Sequence, residues 1–443
     1  MKRIFGDFAY GPGPREGCWW DETCDVPEGV RLEGDLSVDV AVVGGGLTGL
    51  TAARRLAQNG VRVALLEAKN FGWGASGRNG GFCCLGGGMA QDADLEARFG
   101  RSERLAFRRA EKDAVDFVEA FISTYGLDVD LHSQGETQLA HRKRDMEAFF
   151  DEVELVLENY GVEPQFIAEE DLQEHGMTGG TFHGAMTIPI GFGLNPRKYL
   201  AGLVRIAYHA GALLYDNSPV LKTVFENGRH ILTCDLGRVK ADQVVFATNG
   251  YTSENVPHWM AGRYMPSQST VIVTRPLEDR EIRAQGWSSD QMCYDTRNLL
   301  HYFRLMPDRR FLFGMRGSLL TGERAEASAR RRVREDFENM FPQWAHVESA
   351  HAWSGLVCLA RRQIPFIGKL PEAKGTWGAM CFHGNGVAMG SYAGCMVADM
   401  VLGRDSAIYP DIVKTPLERF PLGVARRVLM PPLYVLKKLQ DGR

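Results

Sequence analysis

The sequence predicts an α/β chain, α+β overall, built on one dinucleotide-binding unit and completed by a separate sheet. Three observations carry this reading. Val38-Asp39-Val40-Ala41-Val42-Val43 runs directly into Gly44-Gly45-Gly46-Leu47-Thr48-Gly49, and Glu67 closes the strand that follows. A second glycine-rich helix start, His383-Gly384-Asn385-Gly386-Val387, lies near the C-terminus. Between the two, Ser267 to Thr274 and His301 to Met315 read as strands rich in aromatic and β-branched residues.

In the first unit each residue type has a physical reason. Val38 to Val43 is short, β-branched and nearly free of polar side chains, the pattern of a buried parallel strand. Gly44 permits a tight turn, and Gly46, lacking Cβ, lets a pyrophosphate approach the N-terminus of the next helix. Gly49 allows that helix to lie close on the sheet. The helix is expected over Thr48 to Asn59, with Leu47, Leu50 and Leu56 toward the sheet and Gly60 as its stop. Val61 to Leu66 forms the second strand. Glu67, followed by Ala68, then falls about 20 residues beyond the glycines, where a carboxylate accepts the ribose hydroxyls of an adenosine.

Further on, residues 101 to 125 and Arg144 to Tyr160 carry helical apolar spacing, each ending at a glycine, and Tyr199 to Ala210 forms another helix. Ala212 to Tyr215 and Val220 to Phe225 return as strands. Gln243 to Phe246 is a buried strand ending in the small-residue turn Ala247-Thr248-Asn249-Gly250, which leaves room for a ligand beyond the sheet. Helices are expected from about Ala325 to Met340 and from Ser391 to Leu402. Gly86-Gly87-Gly88 follows no β-branched strand and reads as loop, so one dinucleotide site serves the whole chain.

Composition sets the class. A chain of 443 residues exceeds the usual single core, so two domains are expected. A net charge of −4 with scattered Lys and Arg argues against nucleic acid. No stretch reaches the ~18 apolar residues of a membrane span, and the N-terminus lacks the pattern of an export signal. Nine cysteines at irregular spacing argue against a disulfide framework and point to the cytoplasm. Cys83-Cys84 has no second pair, so no metal site is expected.

The chain resembles the D-amino-acid-oxidase-type family of FAD-dependent amine and amino-acid oxidoreductases. The resemblance spans nearly all of it. It rests on Gly44 to Gly49 with Glu67, on Gly72-Trp73-Gly74-Ala75-Ser76-Gly77-Arg78-Asn79-Gly80-Gly81, on Ala247-Thr248-Asn249-Gly250 and on Gly384-Asn385-Gly386-Val387. The second block is similar to that of gamma-glutamylputrescine oxidoreductases, where it passes along the flavin. The resemblance implies a discontinuous Rossmann-like FAD-binding domain (1–90, 191–260 and 350–443) and a substrate domain with a mixed sheet (91–190 and 261–349). It implies cofactor contacts from these blocks, from Val220 near the adenine, and from Gly384 to Ala388 against the flavin's C2 carbonyl. It further implies hydride transfer from a neutral amine's α-carbon to flavin N5, giving an imine that hydrolyses to an aldehyde. Oxygen or another acceptor then takes the electrons.

Departures from better-known branches narrow the substrate. By the resemblance, the cysteine bonded to FAD in the sarcosine-oxidase-like branch falls on Gly355, with Cys358 three residues away, so FAD is expected to be non-covalent. That branch's carboxylate-binding lysine falls on Ala388, a common aspartate on Arg362 and a common histidine on Asn385. These changes point away from an N-methyl amino acid and toward a gamma-glutamylated amine. The alternative is a D-amino-acid or glycine/sarcosine-type oxidase or dehydrogenase. Substrate-facing candidates are His383, Tyr302 and Arg362, and Arg304, Arg316, Arg361 and Arg362 are the candidates for holding a distal carboxylate bidentately.

Overall fold

Parallel pairing brings the ends of three separate strands to one edge. In the computed structural model, which describes residues 2–318, 320–404 and 409–442, Gly34–Val43 pairs in parallel with Val63–Leu66 on one side and Gly237–Phe246 on the other. The register sets Val43 opposite both Leu66 and Phe246. The residues that follow, Gly44, Glu67 and Ala247, therefore leave the sheet together. This eight-stranded sheet runs Phe366–Lys369, Thr376–Met380, Gly237–Phe246, Gly34–Val43, Val63–Leu66, Leu213–Tyr215, with the hairpin Lys222–Glu226 and Arg229–Thr233 paired to Gly237–Phe246.

Glycine contacts set its helical layer. The helix Leu47–Ala57 lies so close to its strand that a Cβ on Gly49 would meet the Gly44 carbonyl oxygen at 1.9 Å. It also packs on Ala388–Val401, where a Cβ on Gly394 would stand 2.4 Å from the Thr48 carbonyl oxygen. Thr48 Oγ1 donates to the Gly390 carbonyl at 2.7 Å. The two helices consequently start side by side.

A second eight-stranded sheet runs His351–Leu359, Met265–Val273, Phe311–Ser318, His301–Leu305, Met292–Asp295, Glu136–Leu139, Ala185–Ile188, Gln165–Ile167. One face is an aromatic core in which Phe303, Phe311 and Phe313 meet Trp287, Phe341 and Trp344, covered by the helix Glu323–Met340 through Val333 and Phe337. Because side chains alternate along a strand, Tyr302, Gly314 and Arg316 belong to the opposite face.

Several elements differ from the sequence expectation. The helix expected over Arg144 to Tyr160 is two, Lys143–Asp151 and Val153–Tyr160, because the Glu152 N–H turns to the Phe149 carbonyl three residues back. His301 to Met315 is a hairpin, His301–Leu305 and Phe311–Ser318, reversing where Arg309 takes φ 66°. Val220 precedes its strand, which begins at Lys222. The last glycine-led helix starts at Ala388, not Ser391. His351–Leu359 pairs with Met265–Val273 in the second sheet, and Arg101–Tyr125 packs on the first unit's helices, with Phe117 and Tyr392 rings 5.9 Å apart. Both lie across the domain boundaries expected from the sequence. Among the described residues no helix is long and apolar enough to cross a membrane.

Candidate active site

A cavity of about 630 Å³ runs from the strand ends of the first sheet to the face of the second. At one end, Gly44, Gly46, Leu47 and Thr48 meet Glu67, Ala68 and Val220. The glycines are required by close approach: a Cβ on Gly44 would stand 2.7 Å from the Ala247 carbonyl oxygen, and one on Gly46 2.6 Å from Ser76 Oγ. The Ser76 hydroxyl accepts the Leu47 N–H at 3.0 Å and so ties the glycine-rich second block to the helix start.

Glu67 is held for its task. Its carboxylate accepts the Gly45 N–H at 2.6 Å and the Lys69 N–H at 2.9 Å, which fixes its direction. Burial pushes its carboxyl upward, while those backbone donors oppose the shift. A carboxylate has about four acceptor positions, so two donors leave capacity for ribose hydroxyls.

The middle of the cavity is lined by Gly74, Ala75, Ser76, Arg78, Asn79 and Gly80, with Ala247 and Asn249 opposite. Two buried indoles pin this segment: Trp20 donates to the Asn79 carbonyl and Trp353 to the Arg78 carbonyl, both at 2.8 Å. The Arg78 guanidinium lies over the Trp73 and Tyr251 rings and donates to the Trp73 and Ser354 carbonyls. Gly49, Gly81, Gly250 and Ala388 do not line the cavity. Gly49 and Gly81 act by packing instead, a Cβ on Gly81 reaching within 2.0 Å of the Leu194 carbonyl oxygen.

At the far end, Gly384, Asn385, Gly386 and Val387 lead into the helix Ala388–Val401, whose N-terminus opens on the cavity. Gly86 to Gly88 is loop, as expected, and it supports this turn. Asn385 Nδ2 donates to the Leu85 carbonyl at 2.8 Å, and a Cβ on Gly86 would collide with that amide at 1.8 Å. His383 lines the cavity, but both ring nitrogens are used: Nδ1 donates to the Gly87 carbonyl at 3.0 Å and Nε2 accepts the Ala360 N–H at 3.0 Å. Burial lowers its pKa to about 4, so near neutral pH it stands as an uncharged brace.

The arginine candidates separate cleanly. Arg361 is exposed and pairs with Glu418. Arg304 is buried against the Leu194 carbonyl and His132, outside the cavity. Arg362 also lies outside it, donating to the Pro365 carbonyl, so its expected substrate-facing position is corrected: its turn buries it behind the cavity wall. Arg316 lines the cavity. Its Nη2 donates to the His383 carbonyl at 2.8 Å, a reach possible only because Gly384 lacks a Cβ, which would stand 2.3 Å from that nitrogen. Tyr302 lines the same wall, its hydroxyl within 2.9 Å of Ser269 Oγ.

Among the lining residues that the sequence reading did not name are Glu136 and Tyr294. They stand on neighbouring strands of the second sheet and meet at 3.3 Å. A glutamate opening the four-residue strand Glu136–Leu139 looks like a solvated edge, and nothing local marks it otherwise.

The site has two adjacent helix N-termini, a glycine cradle and an acid at one end, and a walled chamber at the other. The profile of the DAO family, FAD dependent oxidoreductase, matches residues 39–400. The chain belongs to this FAD-dependent oxidoreductase family. It is 32% identical over 416 residues to the probable oxidoreductase OrdL of Rhizobium meliloti (strain 1021), covering 92% of this chain and 93% of that one. It is 28% identical over 405 residues to the gamma-glutamylputrescine oxidoreductase of Escherichia coli (strain K12), covering 90% and 91%. The crystal structure of glycine oxidase from Geobacillus kaustophilus superposes with a TM-score of 0.70 at 20% identity, over 88% of this chain and 99% of that one. The family's cofactor is FAD, and its members act on C–N bonds of amines and amino acids. The glycine cradle and the length of the cavity fit that cofactor.

Proposed function

We propose that this FAD-dependent oxidoreductase oxidises an amine that carries a distal carboxylate, of the gamma-glutamylputrescine kind, and releases an aldehyde. Arg316 is the observation that carries the reading. It is a half-buried guanidinium in the cavity wall with no carboxylate partner among the described residues, held in place by the His383 carbonyl. A planar fork of this kind matches a carboxylate bidentately. The named relative, gamma-glutamylputrescine oxidoreductase, supports the same chemistry.

When bound, FAD supplies the two-electron acceptor for a hydride from the amine's α-carbon. The chain's own residues hold, orient and dehydrate. Glu67 and the first helix N-terminus take the adenosine and pyrophosphate, while Gly384 to Val387 direct backbone N–H groups and a helix N-terminus at the redox end. Tyr302 and Arg316 wall the substrate chamber. FAD is taken to be non-covalent: Gly355 has no side chain to bond it, and Cys358 Sγ is turned to Cys381 Sγ, 3.5 Å away. The enzyme is taken to work in the cytoplasm, with oxygen or another acceptor reoxidising it.

Anaerobic bleaching of the flavin band with gamma-glutamylputrescine, putrescine, sarcosine, glycine and D-amino acids tests the reading. Bleaching by the gamma-glutamyl amine alone supports it, and admitting air then identifies or eliminates oxygen as acceptor. Bleaching by α-amino acids instead overturns it in favour of the D-amino-acid or glycine/sarcosine-type alternative.

A further inference from the structure

Glu111 and Glu136 are buried carboxyl groups that act on each other, and of the two only Glu111 has a cation among the described residues. Glu111, on the helix Arg101–Tyr125, accepts Arg108 Nη1 at 2.9 Å and the Tyr160 hydroxyl at 3.0 Å. It is a structural pair, outside the cavity lining. Glu136 is 5% exposed and makes no ion pair among the described residues. Its neighbours are the Tyr294 hydroxyl, the Cys84 thiol and the Leu85 N–H, all neutral donors, and Glu111, of like sign, acts on it through space. A buried carboxyl without a cation is costly to ionise, so it keeps its proton until a ligand supplies the opposite charge.

Its location says which ligand. Glu136 opens into the chamber from the same sheet face as Tyr294, Tyr302 and Arg316. The Cys84-Leu85 segment against it is tied through Asn385 to the turn at the redox end of the cavity. Arg316 is half-buried and has no carboxylate partner among the described residues, and no ion pair joins it to Glu136. One face thus offers an anionic and a cationic anchor with a gap between them.

We propose that Glu136 binds the reacting ammonium of the substrate and takes its proton, while Arg316 holds the carboxylate at the other end. The assignment deepens the amine-oxidising reading above and rests on it. In the step, one N–H bond breaks and one O–H bond forms on Glu136. The electron pair stays on nitrogen, which becomes the neutral amine that hydride departure requires. No oxidant or reductant enters this step. The substrate class is an ω-amine separated by a chain from a carboxylate, a shape that leaves simple diamines and simple carboxylates each with one anchor unfilled.

Free Glu136 titrates near 8, raised by burial and opposed by its Tyr294, Cys84 and Leu85 donors. At pH 7 the empty site therefore holds a proton that the ammonium complex cannot keep. With the flavin chemically reduced so that no turnover occurs, calorimetry in two buffers of different ionisation enthalpy should show about one proton released per gamma-glutamylputrescine bound. Wild type should release none with gamma-glutamylbutylamide, which lacks the terminal amine.

Glu136→Gln should lower kcat/KM for the amine by about 100-fold or more and abolish the proton release. It should also move the break of the acid limb of kcat/KM from about pH 8 up to the amine's own pKa of about 10, retain flavin, and bind the butylamide within about threefold of wild type. Glu136→Asp should move that break back in part. Wild type releasing no proton, or Glu136→Gln keeping both rate and pH profile, overturns the assignment; the calorimetry stands on wild type alone should the variant not fold. If no amine in the panel bleaches the flavin, the functional reading itself fails. If amines bleach it and Glu136→Gln behaves as wild type, only this inference fails.

Discussion

The two sheets meet the same cavity in different ways. The first sheet presents its edge, and the groups it offers are backbone: glycines too close to neighbours for a Cβ, two helix N-termini, and one acid directed by the Gly45 and Lys69 N–H groups. The second presents its face, and what it offers are side chains from four strands, Glu136, Tyr294, Tyr302 and Arg316. A backbone site binds a constant cofactor with little room for variation. A side-chain site on a rigid sheet changes specificity one residue at a time.

The comparison predicts that the edge fails as a unit. Gly49→Val should yield no flavin-loaded protein, since its side chain collides with the Gly44 carbonyl and the overpacking costs about 3 kcal/mol or more. Flavin absorbance per protein and thermal melting check this, and a fully loaded variant would show that the helix can move off the strand.

On the face, effects should be selective. Arg316→Met should raise KM for a carboxylate-bearing amine by about 30- to 1,000-fold, or about 2–4 kcal/mol, with little change for putrescine. Steady-state kinetics on both amines separate a lost anchor from a damaged chamber, which would impair both equally. Arg316→Lys should recover only part, because an ammonium lacks the planar fork.

Two smaller effects sharpen the contrast. Glu67→Gln should weaken FAD binding about tenfold, a loss of about 1–2 kcal/mol, measured by fluorescence titration of the apoprotein. Tyr302→Phe keeps the ring that packs against Gly80 and Gly314 and loses only the Ser269 contact, so kcat/KM should change less than about threefold. A large loss there would give the hydroxyl a role in the chemistry.

The Cys358 and Cys381 pair offers a chemical check on the cofactor's attachment. Acid precipitation of the holoprotein should leave the flavin in the supernatant, as expected where Gly355 occupies the position from which a cysteine would bond it.

Local sequence determined the cofactor half. A strand, glycines, a helix and an acid lie within about thirty residues of one another, and the physics that places them acts at short range: turn geometry, close helix packing and the exposed N–H groups of a helix start. Tertiary structure alone decided the substrate half. Sequence spacing could name four arginines but not choose Arg316, because the choice depends on which side of a strand faces the cavity and on Gly384 leaving space for the guanidinium. His383 read as a candidate from its place before the glycine turn, yet its ring is occupied by Gly87 and Ala360, partners distant or hidden in the chain. Glu136 had no local mark at all. Its significance arises from what long-range strand pairing placed around it: the cavity wall, neutral donors and, among the described residues, no cation. Burial without an opposite charge is a property of the fold, and no stretch of sequence carries it.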